Sequence, residues 1–505
     1  MGQHAGSRRS DAVGNGEDRL ETRSERATAK GTVKIAIANV IRLVSGLGLH
    51  VYLARTLEPQ LYGTLAVVTS IIVWWELVGR ALLIDSTTRF VAAAEHDWEG
   101  VAGTAIRVTA VWSLLLLVFC AATAPLTARV LRDVSLIPYL WLFSLDLALF
   151  PLYQTFLRIL SGRRKYGYRA GAEIFYWLGK TLLMCGLVGL GLSVKGAIIG
   201  SIGASAVGLA CAWKWSGMGW PRGFFRAREL ILFGLPLMGI VVLQQITQNM
   251  DLWCVKALLE NEQAPGYYGA AKYLYRVSTI LPTAVCGAML PTLTLAISKG
   301  NQQSCRELIE QAFRFVFIIL LLGIALVGSS AKDIVTLVFS APYTVAAVPV
   351  ILLIFAALMF ALRSVAHAAL IAAGKPTTCL LALAPLVPIN IALNYFGVPR
   401  YGLVGAAAAT GITGALAAGI MFGVLWREFR VLFDPLSLLR TSLAAGLVYG
   451  VGLYVPSGGV LVLPKLAGLA GFYLILLIVM GEIRRRDFEP LMFWRSGAAG
   501  GSSSH

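Results

Sequence analysis

Charge is scarce in this sequence. Only 14% of its 505 residues are charged, where soluble domains carry about 25%, and that scarcity excludes an ordinary water-soluble globule. The short segments of alternating apolar and polar residues that a membrane β-barrel needs are also missing. So is any CxxC pair or Cys/His cluster. The seven cysteines (Cys120, Cys185, Cys211, Cys254, Cys286, Cys305 and Cys379) are scattered, which suits buried thiols rather than a metal centre. No phosphate-binding glycine loop, zinc motif or nucleophile motif sits in a loop, and no loop is long enough to form a domain outside the membrane. These absences argue against an enzyme and against a cofactor. The first 30 residues are polar, so no cleavable signal peptide is expected. The start also fails as a myristoylation motif, because Gly6 stands where Ser or Thr is needed.

Hydrophobic length is what the sequence has. Apolar residues make up 57% of the chain, and runs of about 20 residues, enough to cross a bilayer, recur from Lys34 to Glu482. The expected fold is an all-α polytopic membrane protein with fourteen transmembrane helices. Residues 1–32 read as a disordered cytoplasmic tail and 33–214 as a first six-helix bundle. A cytoplasmic linker at 215–230 leads to a second six-helix bundle at 231–425. Helices thirteen and fourteen fall at 426–482, and 483–505 form a second cytoplasmic tail.

The distribution of basic residues supports this topology. With both termini cytoplasmic, the outer loops hold eight of the 43 Lys and Arg residues, the inner loops and tails hold 29, and six lie within spans. Such asymmetry is the positive-inside signature. The net charge of +17 is therefore read as anchoring at the cytoplasmic surface, and no nucleic-acid partner is expected. Trp74, Trp75, Trp213, Trp215 and Trp426 sit near span ends, as an interfacial belt would.

An internal repeat runs through the chain. The Tyr-Gly pairs at 62–63 and 268–269 lie 206 residues apart, Gly162 and Gly374 lie 212 apart, and Gly196 and Gly405 lie 209 apart. Three matches in order at nearly constant offset are hard to produce by chance. Six helices per repeat return each half to the same side, so the pseudo-twofold is expected along the membrane normal, with the last two helices outside it.

The stretch from Gln244 to Arg276 is too polar for a lipid-facing surface. Gln244, Gln248 and Asp251 share one helix face, as do Lys272 and Arg276 on the next helix. Six cations lie inside spans: Arg42, Arg158, Lys180, Lys272, Arg276 and Arg363. Arg276 is ten residues into its span, about 15 Å deep, and Arg42, Lys180 and Arg363 are similarly deep. Each charge near the bilayer centre costs roughly 2.5–3.5 kcal/mol, so these four together need compensation. Two kinds are open: ion pairs with Glu76, Asp146, Glu173 or Asp251, or a hydrated cavity that receives an anion. Arg158, close to Arg163, reads as a snorkelling side chain. Arg42 shares its face with Asn39, Gly46 and His50. Arg42, Lys180, Lys272, Arg276 and Arg363 are the candidate anion-binding cations. Asn39, Gln244, Gln248 and Asn249 are candidate sugar contacts, and Asp251 is the candidate ion-coupling acid. His50 and His367 could relay protons, although a lone buried histidine is more often a hydrogen-bonded core residue. Pro236, Pro282 and Pro291 are expected to kink the seventh and eighth spans.

The run Ala54-Arg55-Thr56-Leu57-Glu58-Pro59-Gln60-Leu61-Tyr62-Gly63 resembles a signature that follows the first helix of bacterial polysaccharide transporters. Phe233-Gly234-Leu235-Pro236-Leu237, Asp251 and Gly266-Tyr267-Tyr268-Gly269-Ala270-Ala271 resemble that family's second-half pattern. The family belongs to the multidrug/oligosaccharidyl-lipid/polysaccharide superfamily. Glu58 and Leu252 depart from the pattern, where Gly and Arg are usual. The resemblance implies a flippase that moves an undecaprenyl-diphosphate-linked oligosaccharide from the cytoplasmic to the periplasmic leaflet of the bacterial inner membrane, by alternating access between two bundles. It also implies that membrane lipids and the polysaccharide polymerase or export machinery are partners. A peptidoglycan-precursor flippase and an ion-coupled drug exporter of the same superfamily are the alternatives. A membrane polymerase or glycosyltransferase is disfavoured by the lack of a large periplasmic loop.

Overall fold

A computed structural model describes residues 34–94, 97–219, 225–431 and 434–482 of the chain. The expected tails at 1–32 and 483–505 lie outside the described residues, as do the side chains of Pro236 and Gln244. Every regular element among the described residues is helical, which is the all-α polytopic fold that the hydrophobic runs imply.

The chain divides into two compact units, Met1–Asn249 and Met250–His505. The first contains α1 (Lys34–Thr56), α2 (Pro59–Ala81), α3 (Ile84–Ala93), α4 (Trp98–Val130), α5 (Ile137–Ser144), α6 (Asp146–Gly162), α7 (Tyr166–Leu187) and α8 (Ser193–Ser216). Helix α9 (Ala227–Leu258) carries the boundary. The second unit continues with α10 (Ala264–Ser278), α11 (Ile280–Ser298), α12 (Gln302–Phe339), α13 (Ala347–Ala372), α14 (Pro376–Leu383), α15 (Leu386–Phe429), α16 (Pro435–Tyr454) and α17 (Val462–Val479).

Among the described residues, eleven helical runs are long and apolar enough to cross a membrane. Two of them, Tyr166–Ser216 and Thr377–Phe429, reach 51 and 53 residues. About 20 residues cross the hydrocarbon core, so each is far longer than one crossing. Each is also broken at a glycine with positive φ, Gly191 (φ 88°) and Gly402 (φ 58°). A side chain at either position would clash with its own backbone.

The sequence repeat has structural counterparts in each unit. Pro59 and Pro265 stand in the first turns of α2 and α10, where a missing N–H is harmless and a fixed φ suits the helix. The tyrosines that follow are buried and turn back onto the preceding helix. Tyr62 Oη lies 3.2 Å from His50 Nδ1, and Tyr268 Oη donates to Asp251 at 2.9 Å. Helices α6 and α13 end in the same motif, with Lys165 N–H donating to Leu160 C=O and Lys375 N–H to Leu370 C=O, both at 2.9 Å. The left-handed residue of that motif is Arg164 in one unit and Gly374 in the other. The structure thus matches Gly374 to Arg164, 210 residues apart, rather than to Gly162. The helix breaks at Gly191 and Gly402 are 211 apart and agree with that offset.

Packing within each unit follows from small residues at helix crossings. In the first unit, Tyr153, Phe156, Ile159, Tyr176, Ala204 and Ala212 form a core between α6, α7 and α8, with Tyr153 and Tyr176 stacked at 5.0 Å. Helices α7 and α8 approach so closely that a Cβ on Gly200 would stand 2.7 Å from the backbone nitrogen of Met184. Gly200→Ala is therefore expected to force the hairpin apart and cost about 1–3 kcal/mol. Thermal melting of the purified protein checks this, and an unchanged melting temperature would count against it. In the second unit, Phe313, Val316, Leu358, Val365, Met421 and Leu425 pack α12, α13 and α15 together. Helices α16 and α17 dock on α12 through Ala325, Ala444, Val448, Leu469 and Tyr473. The start of α16 and the end of α17 are clamped by Glu482, which accepts from Arg314 Nε at 2.9 Å and from Ser437 Oγ.

The expected proline kink in the eighth span is present at Pro282. Its ring sits in the first turn of α11, and α10 has already ended at Ser278. Pro282 has no N–H to offer the Ser278 carbonyl, so the helix is interrupted there.

Candidate functional site

Polar and charged side chains gather at two places, one within each unit. In the second unit the organising group is the Asp251 carboxylate, which is 2% exposed. Helix α10 presents Tyr268 and Lys272, one turn apart, to this carboxylate. Oδ1 accepts from the Lys272 ammonium and from the Leu252 N–H at 2.8 Å. Oδ2 accepts from Tyr268 Oη at 2.9 Å and from Thr410 Oγ1 of α15 at 3.2 Å. A carboxylate offers about four lone-pair sites, and four donors fill them. Lys272 is itself buried, at 5%, so the two charges cancel inside the unit.

Arg276, one turn beyond Lys272, is exposed in the last turn of α10. The C-terminal end of a helix dipole favours a cation there. Arg363 on α13 is half-buried with its guanidinium 4.7 Å from the centre of the Phe360 ring. Arg276, Arg363 and Asp251 all lie within electrostatic reach of the Tyr275 hydroxyl. The structure therefore brings Asp251, Lys272, Arg276 and Arg363 into one neighbourhood, with Lys272 ion-paired and Arg276 presenting its guanidinium outward. His367, one turn from Arg363, lies within reach of that cation.

In the first unit, Arg42 on α1 is exposed and within electrostatic reach of Arg80 on α2. Lys180 on α7 is half-buried and donates to Tyr176 Oη at 3.2 Å. Its charge acts on two buried acids, Glu76 of α2 and Asp146 of α6. Asn39 is exposed on α1, and Gln248 is half-buried on α9. Asn249 is 1% exposed, and its Nδ2 donates to the Gln245 carbonyl at 3.1 Å. The placement of Gln244 within the site lies outside the described residues.

Reading the sequence alone missed Arg80, which looks like an inner-loop residue by position but is half-buried in the last turn of α2. Its spacing of four from Glu76 was the available signal. Tyr268, Thr410, Ser201 and Ser205 were also missed, because hydroxyls leave little trace in hydropathy. Among the described residues, no group of three or more His, Cys, Asp or Glu side chains could hold a metal ion.

Comparison with known proteins gives the wider setting. The profile of a family described as "Polysaccharide biosynthesis protein" matches residues 52–348. No curated protein matches the sequence. Among solved structures, the fold resembles a "Lipid II flippase MurJ, inward closed conformation" with a TM-score of 0.73 at 13% identity, covering 91% of this chain and 100% of that one. It resembles an inward-facing multidrug resistance MATE family transporter of the MOP superfamily with a TM-score of 0.63 at 15% identity, over 79% and 98% of the two chains. A MOP superfamily transporter from Pyrococcus furiosus, whose binding pocket is described as of reverse polarity, aligns with a TM-score of 0.56 at 14% identity, over 80% and 95%.

Proposed function

The chain belongs to the polysaccharide biosynthesis protein family, a family of polysaccharide transporters and flippases, and on that premise we propose that it flips a lipid-linked oligosaccharide across the bacterial inner membrane. The substrate of this reading is an undecaprenyl-diphosphate-linked repeat unit destined for exopolysaccharide, capsule or O-antigen. Both termini face the cytoplasm, and transport proceeds by alternating access. The protein acts as a transporter and not as an enzyme. Its partners are the lipid-linked substrate, the surrounding lipids and the polymerase or export machinery that takes the product.

The observation that carries this reading is the set of cations held inside membrane-spanning helices. A diphosphate carries negative charge that charge-assisted hydrogen bonds stabilise, and intramembrane cations are costly enough to mark such a pathway. Arg276 and Arg363 are the proposed diphosphate contacts of the second unit, with Arg42 and Lys180 those of the first. Lys272 joins them when its pair with Asp251 opens. Asp251 is the acid of the second unit through which an ion gradient can act, since a cation that displaces the ammonium frees Lys272 for the substrate. Asn39, Gln244, Gln248 and Asn249 supply hydrogen bonds to sugar.

The likeness to a lipid II flippase favours one second reading, a peptidoglycan precursor, because both substrates present a polyprenyl diphosphate. A drug exporter fits less well, since a basic interior repels cationic drugs. Deletion of the gene separates these readings. Loss of a surface polysaccharide with lipid-linked units accumulating on the inner leaflet is the expected result. Normal polysaccharide export would contradict the proposal, and arrested cell-wall synthesis would favour the peptidoglycan precursor.

A further inference from the structure

The first unit carries a basic cavity that the transport reading does not use. Its volume is about 600 Å³, within the roughly 300–1,000 Å³ of small-molecule sites. Lys34, at the start of α1, lines one side, and Arg164, Lys165 and Tyr168 line the other where α6 turns into α7. Among the described residues, three cations and no carboxylate line it. The distribution of basic residues marks this end of the helices as cytoplasmic. Gly167 leaves room for the Lys34 ammonium, since a Cβ there would stand 3.2 Å from Lys34 Nζ.

The repeat shows that the turn itself does not require these cations. Arg164 holds a left-handed backbone, φ 55°, at the position that Gly374 fills in the second unit. A side chain strains that conformation and glycine does not. An outlier of this kind points to a task for its side chain. Lys165 corresponds to Lys375, whose ammonium lies 2.6 Å from the Glu428 carboxylate. Lys165 instead donates to the Ser216 carbonyl at 3.4 Å, and Arg163 donates to the same carbonyl at 2.7 Å. Burial, and then the Arg163 charge, push the Lys165 ammonium below the usual lysine range. An anion in the cavity relieves that crowding.

Farther along the helices the lining turns apolar, with Ile37 of α1 and Ile174 of α7. Beyond them Val40 and Val44 continue an exposed face of α1, and Leu178 and Leu182 one of α7. A free phosphate leaves these faces bare, whereas an acyl chain covers them. Lys and Arg form charge-assisted hydrogen bonds to phosphate, and basic pockets between membrane helices hold anionic headgroups. We propose that this cavity binds one anionic phospholipid of the cytoplasmic leaflet, its phosphate held by Lys34, Arg164 and Lys165 and its chain lying along α1 and α7. The bound lipid ties the start of α1 to the α6–α7 turn. The inference goes beyond the flippase reading and does not depend on which lipid is transported.

Melting of the purified full-length protein, followed by tryptophan fluorescence in nanodiscs, tests it. One set of discs is phosphatidylcholine alone, and the other is equal parts phosphatidylcholine and phosphatidylglycerol. Phosphatidylglycerol is expected to raise the melting temperature by a few degrees, as a ligand of the folded state does. Lys34→Gln/Lys165→Gln should lose most of that rise. Gly167→Leu, which fills the cavity and keeps every charge, should lose it as well. Arg164→Gly separates lipid binding from folding. In phosphatidylcholine it should melt at or above wild type, because the strain is gone, and yet gain less from phosphatidylglycerol. Replacing Arg484, Arg485 and Arg486 with glutamine should leave the rise intact. No rise in the wild-type protein, or a rise that survives the cavity variants, would overturn the proposal. Equal loss in the Arg484–Arg486 variant would also overturn it, in favour of diffuse surface attraction. A matching rise from inorganic phosphate in phosphatidylcholine discs would overturn the lipid assignment. Every readout is taken without transported lipid, so failure here leaves the flippase reading standing.

Discussion

Replacing Asp251 with alanine is expected to lower stability by about 3–5 kcal/mol, the cost of leaving a buried ammonium without its counter-charge. Lys272→Met should be nearly as harmful, since it strands the carboxylate among Tyr268, Thr410 and the Leu252 N–H. The double variant Asp251→Asn/Lys272→Met removes both charges and keeps the shapes, so its melting temperature should return close to wild type. A cycle measured by thermal melting checks this, and purely additive losses would mean that the two groups do not act as a pair. Transport distinguishes two roles for the pair. If it only braces α9 against α10, the double variant flips substrate normally. If the pair opens during the cycle, the double variant folds and does not transport.

Arg276 presents the opposite case. Its side chain is exposed and near the Lys272 and Tyr275 side chains, so Arg276→Ala removes little packing and should leave the melting temperature within about 0.5 kcal/mol of wild type. A charge-assisted hydrogen bond to a diphosphate is worth about 1.5–3 kcal/mol. Its loss should slow transport roughly 10- to 100-fold. Arg276→Lys should recover part of that rate, because the charge survives but the bidentate fork does not. Wild-type transport by Arg276→Ala would remove this residue from the substrate pathway.

The fold was legible because a bilayer imposes coarse rules. Hydrophobic length gave the helices, and Pro59 and Pro265 in their matching Tyr-Gly contexts marked equivalent helix starts. The register of the repeat was misread at Gly162 because glycine was matched to glycine, whereas the backbone asks for a left-handed residue and accepts Arg164. Side-chain pairing was harder. Lys272 and Arg276 share a helix face by spacing, which suggested that they act together, yet one is buried against Asp251 and the other is exposed. Each residue along a helix turns about 100°, so a rotation of the whole helix that hydropathy does not fix decides which partner a cation meets. The Glu76–Asp146 pair was invisible for the same reason. Its members are 70 residues apart and on helices whose apolar faces give no bearing on one another.

Reconstitution measures the proposed lipid flipping most directly. Purified protein is incorporated into liposomes carrying a fluorescently labelled polyprenyl-diphosphate oligosaccharide, and a membrane-impermeant quencher reports how much of the label faces outward. Protein-dependent movement of label between leaflets, sharply slowed in Arg276→Ala, is the predicted result. Liposomes in which folded wild-type protein moves no more label than empty vesicles would contradict it.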